Sequence, residues 1–335
     1  MIVLNGSEAG GQFVRTAIAL SAITKTPVKI TNIRGARKPP GLKIQHIEGI
    51  DAIGKLCDAK INGLKLGSKE IEFIPGNLVS KDLEINISTA GSIGLILQAI
   101  LLVTANLNEK IKIKINGGAT FGKWAPSPYY LEKVIFPLIG EKTKINVIKD
   151  GFYPKGGAEV EVFTEPWKKR KIVYETSGNI KEIKIFSYSS ELLKSKNVAE
   201  RQANSAEIFL KEKLNTEISK EIFYSKSLCA GSGILIVCKT ENSIFGADAI
   251  GEIGKTSENV GLEAAKYLLN DLFNGAVDIH AGDMLLPYIA FNGSGKILVP
   301  KISQHIIKNI EVLESFYKIK FKVDGEKGKQ GKIIL

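Results

Sequence analysis

Apolar and polar positions along the chain follow a pattern that recurs as a unit. The first copy opens with an apolar strand at 2–5 and passes through glycines into an apolar-periodic helix at about 11–23. A strand at 28–33, a helix at about 42–57 and two short strands near 60–61 and 70–74 complete this copy. The pattern predicts the element order β-α-β-α-β-β.

The same order of elements occurs twice more. The second copy has strands at 83–87, 110–115, 144–148 and 158–163, with helices at 91–103 and 128–138. The third copy has helices at 280–291 and 305–316 and strands at 296–299, 318–323 and 332–335, and residues 171–176 can supply its opening strand. We therefore expect an α/β (α+β) fold of three repeated β-α-β-α-β-β units.

About 100 residues separate that opening strand from the rest of the third copy, enough for a small separate domain. This insertion has its own strands, at 182–187, 222–224, 234–238 and 244–247, and helices at about 198–214 and 258–273. We predict a large domain of three repeats over 1–177 and 275–335, with a smaller α/β domain over 178–274 inserted in the third unit.

The composition indicates a folded chain with phosphate-rich partners. Its 335 residues exceed what one hydrophobic core usually supports, which agrees with two folding units. Lysine and arginine number 46 against 35 acidic residues, and the net charge of +11 favours anionic partners. Charge alone does not separate RNA from a nucleotide or a membrane lipid. Three of the five arginines, which are two-pronged donors to phosphate, lie within the first 37 residues, at Arg15, Arg34 and Arg37.

The pattern also excludes several classes of protein. The longest apolar run, 90–105, is interrupted by polar residues and is shorter than the ~20 residues that cross a bilayer, so we expect a buried helix and no membrane partner. The N-terminal residues lack the pattern of a secretory signal, and we expect a cytoplasmic protein. Cys57, Cys229 and Cys238 lack the spacing of a zinc site, a redox pair or a disulfide framework.

Glycines follow the first strand, between residues 5 and 15. At a strand–helix junction, glycines allow backbone amides to approach a phosphate held at the helix N-terminus. Glu8, Gln12 and Arg15 have near-helical spacing and would share one face of a helix. A carboxylate beside a bound phosphate needs a cation between the two, so Glu8 predicts Mg²⁺ or Mn²⁺ there. The alternative is a glycine-rich turn in which Glu8 is only a favourable first-turn acid.

A second stretch, 34–46, begins as a basic loop with two prolines and contains no acidic residue. Arg34 and Arg37 lie in the loop, and Gln45 and His46 follow on the next helix. Arginines in such a loop are typical of a phosphate cradle rather than of a merely solvated segment. His46 by itself would more often be a structural histidine.

Two glycine-containing stretches have other interpretations. Residues 150–158 are rich in glycine and proline and are best explained as a tight turn. Residues 249–256 end in Gly-Lys-Thr between a strand and a helix, which makes a P-loop phosphotransferase using Lys255 an alternative. However, Ala249 stands where a P-loop has its first glycine, and we find no later strand that ends in a magnesium-binding aspartate.

Two of the three histidines of the chain flank its last pair of helices. His280 and Asp283 are three residues apart, so they would lie on one helical face. His305 lies at a strand–helix junction, where an imidazole is exposed to solvent rather than buried. The alternative is an ordinary helix-capping histidine.

In the combination of these stretches, the chain resembles the RNA 3′-terminal phosphate cyclases. The likeness rests on the opening with Glu8, Gln12 and Arg15, the 34–46 stretch, the 88–92 helix start, the 151–157 turn and the His305 junction. The resemblance implies three repeated units like those of the enolpyruvyl transferases, with one smaller α/β domain inserted.

The resemblance also implies roles for individual residues. His305 matches the histidine that becomes covalently adenylylated, and Glu8 matches the metal-binding acid. The positions that match ATP-binding residues are Gln12, Arg15, Arg34, Arg37, Gln45, His46, Pro126, His280 and Asp283, the last three at the adenine end. The chain departs from the family at Ala158, often another glycine, and at His280, where an aromatic such as tyrosine can stack on adenine.

The implied activity is ATP-dependent conversion of an RNA 3′-terminal phosphate to a 2′,3′-cyclic phosphate. It passes through a covalent histidine–AMP intermediate and an adenylylated RNA end, releases pyrophosphate and AMP, and uses Mg²⁺ or Mn²⁺. The partner would be RNA with a 3′-terminal phosphate, recognised by its end, because no base-reading motif such as an aromatic-rich strand is evident. The alternatives are a non-catalytic cyclase-like RNA-binding protein of ribosome assembly, which would lack the histidine, an enolpyruvyl transferase, and the P-loop enzyme.

Overall fold

The first repeated unit of the chain is a four-stranded sheet with two helices. The computed structural model describes residues 1–122 and 125–335. The elements of this unit are β1 (Ile2–Asn5), α1 (Gly11–Thr24), β2 (Val28–Thr31), α2 (Ile44–Cys57), β3 (Lys60–Asn62) and β4 (Ile71–Ile74). The strand order is β1-β2-β4-β3. The pair joined through α1 is parallel and the other neighbours are antiparallel, because only a long crossover can join parallel strands.

The second unit has the same strand order, β5-β6-β8-β7. Its elements are β5 (Leu83–Ser92), α3 (Ile93–Thr104), β6 (Lys112–Ala119), α4 (Pro128–Tyr130), a π-helical turn (Leu131–Ile135), α5 (Phe136–Ile139), β7 (Lys144–Lys149) and β8 (Glu159–Phe163). The strand predicted to end at residue 87 continues to Ser92. Ser92 pairs with Ala119, and its hydroxyl accepts a hydrogen bond from the N–H of Leu95 at 3.2 Å, which starts α3 two residues later than predicted.

The insertion forms a fourth sheet after β9 (Ile172–Tyr174), the opening strand of the third unit. Its elements are β10 (Ile180–Ser190), a 3₁₀ turn (Glu191–Lys196), α6 (Val198–Lys213), β11 (Ile218–Ser225), β12 (Ser232–Thr240), β13 (Ile244–Ile250) and α7 (Ser257–Asn274). The strand order is β11-β10-β12-β13, and α6 and α7 pack on the sheet and on each other. The buried apolar residues here form a hydrophobic cluster of their own. The domain boundaries at residues 177–178 and 274–275 stay a prediction.

The third unit resumes after the insertion and again has its strands in the order first, second, fourth, third: β9-β14-β16-β15. Its remaining elements are α8 (Ile279–Met284), α9 (Leu286–Asn292), β14 (Gly295–Val299), α10 (Gln304–Phe316), β15 (Lys322–Gly325) and β16 (Gly331–Ile334). The single helix predicted at 280–291 is divided at Leu285. Pro287 lies in the first turn of α9 and has no N–H to continue the hydrogen bonds of α8.

Helices from all three units meet at the centre of the large hydrophobic cluster. α1 packs against α2, α3 and α10, and the cluster includes residues of every sheet of the three units. The apolar run at 90–105 is mostly α3, whose residues are largely buried there as expected. Among residues 1–122 and 125–335, no helix has the length and apolar character needed to cross a membrane.

Asp278 is fully buried and connects three parts of the chain. Its carboxylate accepts hydrogen bonds from the hydroxyl of Tyr130 in the second unit at 2.6 Å and from the N–H of Gly246 in the insertion at 2.9 Å. It also caps α8 by accepting from the N–H groups of His280 and Ala281, both at 2.9 Å. Burial raises the pKa of Asp278, and the charge of His280 and these hydrogen bonds oppose that rise.

We predict that Asp278→Asn lowers the free energy of unfolding by about 2–4 kcal/mol, because the amide adds a donor where the protein presents only donors. Thermal or denaturant unfolding followed by circular dichroism measures the change. Asp58→Asn is the matched control, since Asp58 is exposed and asparagine tolerates its left-handed backbone at φ 47°. Equal unfolding midpoints for the two variants would contradict the role given to Asp278.

Candidate active site

A cavity beside α1, α3 and α10 gathers polar residues that are far apart in the sequence. Gln12, Arg15, Gln98, Asp283 and Asn309 line it, together with apolar side chains. Sequence reasoning named Gln12, Arg15 and Asp283 and missed the other two. The one available signal was a glutamine within the apolar run that forms α3.

Asn309 is almost completely buried at the wall of this cavity. Its Nδ2 donates to the backbone oxygen of Asp283 at 2.8 Å, whereas its Oδ1 is buried with no partner in the part of the chain that the structure describes. A buried acceptor without a donor is costly, so Oδ1 of Asn309 is an unsatisfied polar atom at the wall of this cavity.

Arg15 is buried on α1, where the helix faces the cavity. Its Nη2 donates to Oε1 of Gln98 at 3.3 Å. Burial lowers the pKa of Arg15 to about 10, and the negative charge of Asp283 opposes this decrease. The guanidinium is therefore charged at neutral pH in surroundings of low dielectric, where its attraction for an anion is strong.

His46 is buried on α2 beside the start of α1. Its Nδ1 accepts a hydrogen bond from the N–H of Lys43 at 3.1 Å, so the neutral ring carries its proton on Nε2. A side-chain carbon on Gly11 would collide with this Nε2 and approach Arg15, which explains a glycine at the helix start. Burial, then the charges of Arg15 and Arg34, lower the pKa of His46 to about 3. His46 is therefore a neutral N–H donor at physiological pH.

The two arginines of the basic loop have different surroundings. Arg34 is buried and has a left-handed backbone, and its Nη1 donates to the carbonyl groups of Pro39 at 3.2 Å and Gly41 at 2.9 Å. Burial, followed by the charge of Arg37, lowers the pKa of Arg34. Arg37 is exposed. Arg34 therefore organises the loop from within, while Arg37 is presented to solvent.

Gln45 joins the first unit to the second. Its Oε1 accepts a hydrogen bond from the N–H of Ser92 at 3.4 Å, and its Cβ borders Gly91. Two stretches that the sequence analysis singled out separately, 34–46 and 88–92, are thus in contact.

His305 lies in the first turn of α10, which Ser303 caps by accepting a hydrogen bond from the N–H of Ile306 at 3.1 Å. The imidazole is 56% exposed, and its Nδ1 lies 3.4 Å from Oδ2 of Asp283, whose side chain is 13% exposed. A carboxylate there favours the tautomer with a proton on Nδ1, which leaves the lone pair of Nε2 available as a nucleophile. The structure brings His305 and Asp283 together, whereas the sequence pattern paired Asp283 with His280.

Glu8 precedes α1, so it does not share a helix face with Gln12 and Arg15 as the spacing predicted. Its side chain is 79% exposed, and its Oε2 lies 3.9 Å from Nζ of Lys308, one turn after His305 on α10. Among residues 1–122 and 125–335, no three histidine, cysteine or acidic side chains are grouped to hold a metal. A Mg²⁺ ion bound mainly by phosphates and water needs only one or two protein carboxylates, and Glu8 fits that lesser requirement.

Pro126 and His280 are linked through Asp248, which the sequence analysis did not name. Ser127, next to the buried Pro126, donates its N–H to Oδ2 of Asp248 at 3.4 Å. Burial raises the pKa of Asp248, and the charge of His280 opposes this rise. The ring of His280 is exposed and stands edge-on to Tyr130, with centroids 5.9 Å apart.

Lys255 lies in a different environment, in the insertion. Its Nζ is 2.9 Å from Oε1 of Glu263 and 3.4 Å from the backbone oxygen of Ile250. The preceding strand, β13, is an edge strand that pairs antiparallel to β12. A P-loop follows a strand of a parallel nucleotide-binding sheet, so this setting disfavours a phosphate site at Lys255.

Comparison with known proteins gives one consistent result. A family model described as RNA 3′-terminal phosphate cyclase matches residues 6–323. A protein of that name from Pyrococcus abyssi is 44% identical over 340 residues, covering 99% of this chain and 98% of the relative. Relatives with the same name from Thermococcus kodakarensis and Methanococcoides burtonii are each 40% identical, covering 98% and 97% of this chain and 96% and 97% of their own lengths.

The depressed pKa of His46 predicts a pH-dependent stability. An unfolded chain takes up a proton at His46 near the ordinary pKa of 6.5, whereas the folded protein does so only near 3, so acid favours unfolding between these values. Each pH unit in that window removes up to about 1.4 kcal/mol.

We therefore expect the free energy of unfolding to fall less steeply between pH 6.5 and pH 4 in His46→Asn than in the wild type. Asparagine is the suitable replacement because its Oδ1 can accept the hydrogen bond from the N–H of Lys43. Denaturant titrations at several pH values measure the slopes, and identical slopes in the two proteins would show that burial does not suppress the charge of His46.

Proposed function

The chain belongs to the RNA 3′-terminal phosphate cyclase family, and we propose that it uses ATP to convert an RNA 3′-terminal phosphate to a 2′,3′-cyclic phosphate. One observation carries this proposal. Nδ1 of the exposed imidazole of His305 lies 3.4 Å from the carboxylate of Asp283, and Asp283 also lines the cavity that holds the buried charge of Arg15. A nucleophile and an anion-binding cation therefore share one site.

In the first step, Nε2 of His305 attacks the α-phosphorus of ATP. The nitrogen–phosphorus bond forms while the bond to the bridging oxygen breaks, and pyrophosphate leaves. Asp283 holds the proton on Nδ1 and stabilises the positive charge that develops on the ring. Arg15 and the Nε2–H of His46 are the donors that would bind phosphate oxygens, and one cation beside one neutral donor avoids repulsion between two buried charges.

The terminal phosphate of RNA cannot be cyclised directly, because hydroxide is a poor leaving group from phosphorus. In the second step an oxygen of this phosphate attacks the adenylyl phosphorus, the bond to Nε2 breaks, and the RNA end becomes adenylylated. The neighbouring 2′-hydroxyl then attacks the terminal phosphorus and AMP leaves. This last step requires little from the protein, because a vicinal nucleophile has an effective molarity of order 10⁵ M or more.

The remaining residues of the site would bind and position the nucleotide. Glu8 would hold a divalent cation together with the phosphates of ATP, and such a cation neutralises phosphate charge. Gln12, Arg34, Arg37 and Gln45 would contact the phosphates and the ribose. His280 would stack on the adenine, with Pro126 and Asp283 at the same end of the nucleotide. These assignments follow the resemblance, and the position of Gln12, Arg15 and Asp283 around one cavity supports those of these three residues.

Two alternatives are less consistent with the site. A P-loop phosphotransferase would need the ammonium of Lys255, which is paired with Glu263 beside an antiparallel edge strand. A non-catalytic RNA-binding protein of ribosome assembly would have no use for an exposed histidine oriented by a carboxylate.

We expect His305→Ala to abolish covalent labelling of the protein by α-labelled ATP and to abolish cyclisation. The imidazole is exposed and its role is chemical rather than structural. The thermal unfolding midpoint should therefore stay within about 2 °C of the wild-type value. Denaturing electrophoresis detects the label, which should be acid-labile and base-stable as a phosphoramidate is. Lys255→Ala is the control and should label normally; loss of label there, with label retained in His305→Ala, would reverse the assignment.

The order of steps predicts a stalled product from a modified RNA. An RNA whose terminal nucleotide has a 3′-phosphate but lacks the 2′-hydroxyl should accept AMP and go no further, while an RNA with a 3′-hydroxyl should not react. Gel electrophoresis and mass spectrometry of the RNA identify the adenylylated end. Substrates of different sequence with the same 3′-phosphate should react within about tenfold of one another, about 1.4 kcal/mol. Turnover of a 3′-hydroxyl end would show that the substrate is wrong.

A further inference from the structure

The glycine-rich turn at 150–158 joins β7 to β8 in the second unit and contacts the insertion. Asp150 is buried at its base and accepts hydrogen bonds from the hydroxyl groups of Thr120 at 2.6 Å, Tyr129 at 3.0 Å and Ser225 at 3.0 Å. Within the turn, the N–H of Gly156 donates to the backbone oxygen of Phe152 at 2.7 Å. The function proposed above assigns no role to this turn.

The tip of the turn is displayed to solvent. Tyr153 is 79% exposed, and Lys155 is exposed two residues later. On the inner side, a Cβ on Gly156 would lie 3.1 Å from Cα of Ala90, in the stretch that also contacts Gln45. The inner side of the turn therefore packs against the stretch that contacts Gln45.

A segment of the insertion lies directly against the turn. The Sγ of Cys229 contacts the backbone oxygen of Phe152 at 3.2 Å, and a Cβ on Gly157 would collide with Leu228. In the same segment Lys226 is exposed, and so is Phe223 at the end of β11. The turn and this segment of the insertion are therefore in direct contact, and we call their four exposed side chains the basic aromatic strip: Tyr153, Lys155, Phe223 and Lys226.

Aromatic rings support this strip from beneath. Tyr129 stacks on Tyr188 with centroids 4.1 Å apart, and Tyr188 stacks on Phe223 with centroids 4.9 Å apart and planes 13° apart. Phe223 ends the stack and is 39% exposed. A flat ring held by a stack beneath it is pre-organised to receive another planar group.

The charge of the strip indicates which planar group it receives. Residues 151–158 and 222–231, which supply the strip, contain two lysines and no acidic residue. The acidic neighbour on β11, Glu221, two residues before Phe223, is paired with Lys184. Exposed aromatic rings with lysines between them are the pattern of a single-stranded nucleic acid surface, where bases stack on rings and phosphates pair with cations. An RNA end that reaches His305 brings such a strand with it.

We propose that the basic aromatic strip binds the single-stranded RNA that precedes the 3′-terminal phosphate, with Tyr153 and Phe223 stacking on bases and Lys155 and Lys226 contacting phosphates. The assignment rests on the proposed function for the identity of the strand. It adds to that function a binding surface that the site residues do not include.

The test measures RNA affinity in the absence of ATP, so that no turnover occurs. The probe is a 5′-fluorescein-labelled ten-nucleotide single-stranded RNA with a 3′-phosphate, and fluorescence anisotropy gives its Kd. Tyr153→Ala should weaken binding about 5- to 150-fold, the range expected for losing one stacked base, and Tyr153→Phe should restore it. Tyr153 is largely solvent-exposed, so this variant should fold normally; Phe223→Ala, which shortens the internal stack, is a second variant.

The lysines are tested through salt dependence. Lys155→Gln/Lys226→Gln should reduce the slope of log Kd against log salt by about 1.4, because each phosphate contact on a single strand contributes about 0.7. Lys266→Gln/Tyr267→Ala, which removes an exposed lysine and tyrosine from α7, is the matched control and should bind RNA as the wild type does. A merely structural role of the turn would not change the slope.

Covalent labelling by ATP, which needs no RNA, separates this inference from the proposed function. Weaker RNA binding in Tyr153→Ala with the AMP label retained supports the strip. Unchanged RNA affinity in Tyr153→Ala and in the double lysine variant overturns it. Loss of label in step with RNA affinity also overturns it, because the turn would then belong to the nucleotide site. If the wild type takes no label while Tyr153→Ala still binds RNA more weakly, the proposed function fails and the strip stands.

Discussion

A single buried carboxylate joins parts of this protein that are far apart in the sequence. Asp278 accepts hydrogen bonds from the second unit, from the insertion and from the helix that it caps. A buried carboxyl group is tolerated only when such hydrogen-bond partners surround it, so these segments must meet in one arrangement. Because Asp278 begins α8, this arrangement also places His280 and Asp283 relative to the rest of the candidate site.

Burial lowers the pKa of two basic groups, Arg15 and His46, but leaves one of them charged and the other neutral. Loss of solvent lowers the pKa of Arg15 to about 10 and that of His46 to about 3. The ordinary pKa of a guanidinium is so high that Arg15 stays charged after this decrease, whereas His46 becomes a neutral donor. Gly11 allows the two groups to approach, since any side chain there would collide with His46. The same physical effect thus produces one cation and one neutral donor instead of two repelling cations.

The aromatic stack beneath the basic aromatic strip is built from separate segments of the chain, so no local sequence pattern predicts it. Its rings come from the second unit and from two strands of the insertion, and Tyr188 and Phe223 meet because β10 and β11 pair in that register. No segment of the chain is rich enough in aromatic residues to predict a stacking surface. The surface exists because the insertion packs against the turn at 150–158.

The order of strands and helices and most of the candidate residues follow from local sequence patterns, because periodicity, glycine placement and residue chemistry act within a few positions. Which of the candidates meet depends on the packing of distant segments. Gln98 contacts Arg15 across 83 positions, Asp283 lies 3.4 Å from His305, and Arg34 donates to carbonyl groups of its own loop. Glu8 lies outside the helix that its spacing predicted. These outcomes depend on desolvation and on packing between distant segments, and local sequence preferences carry no information about either.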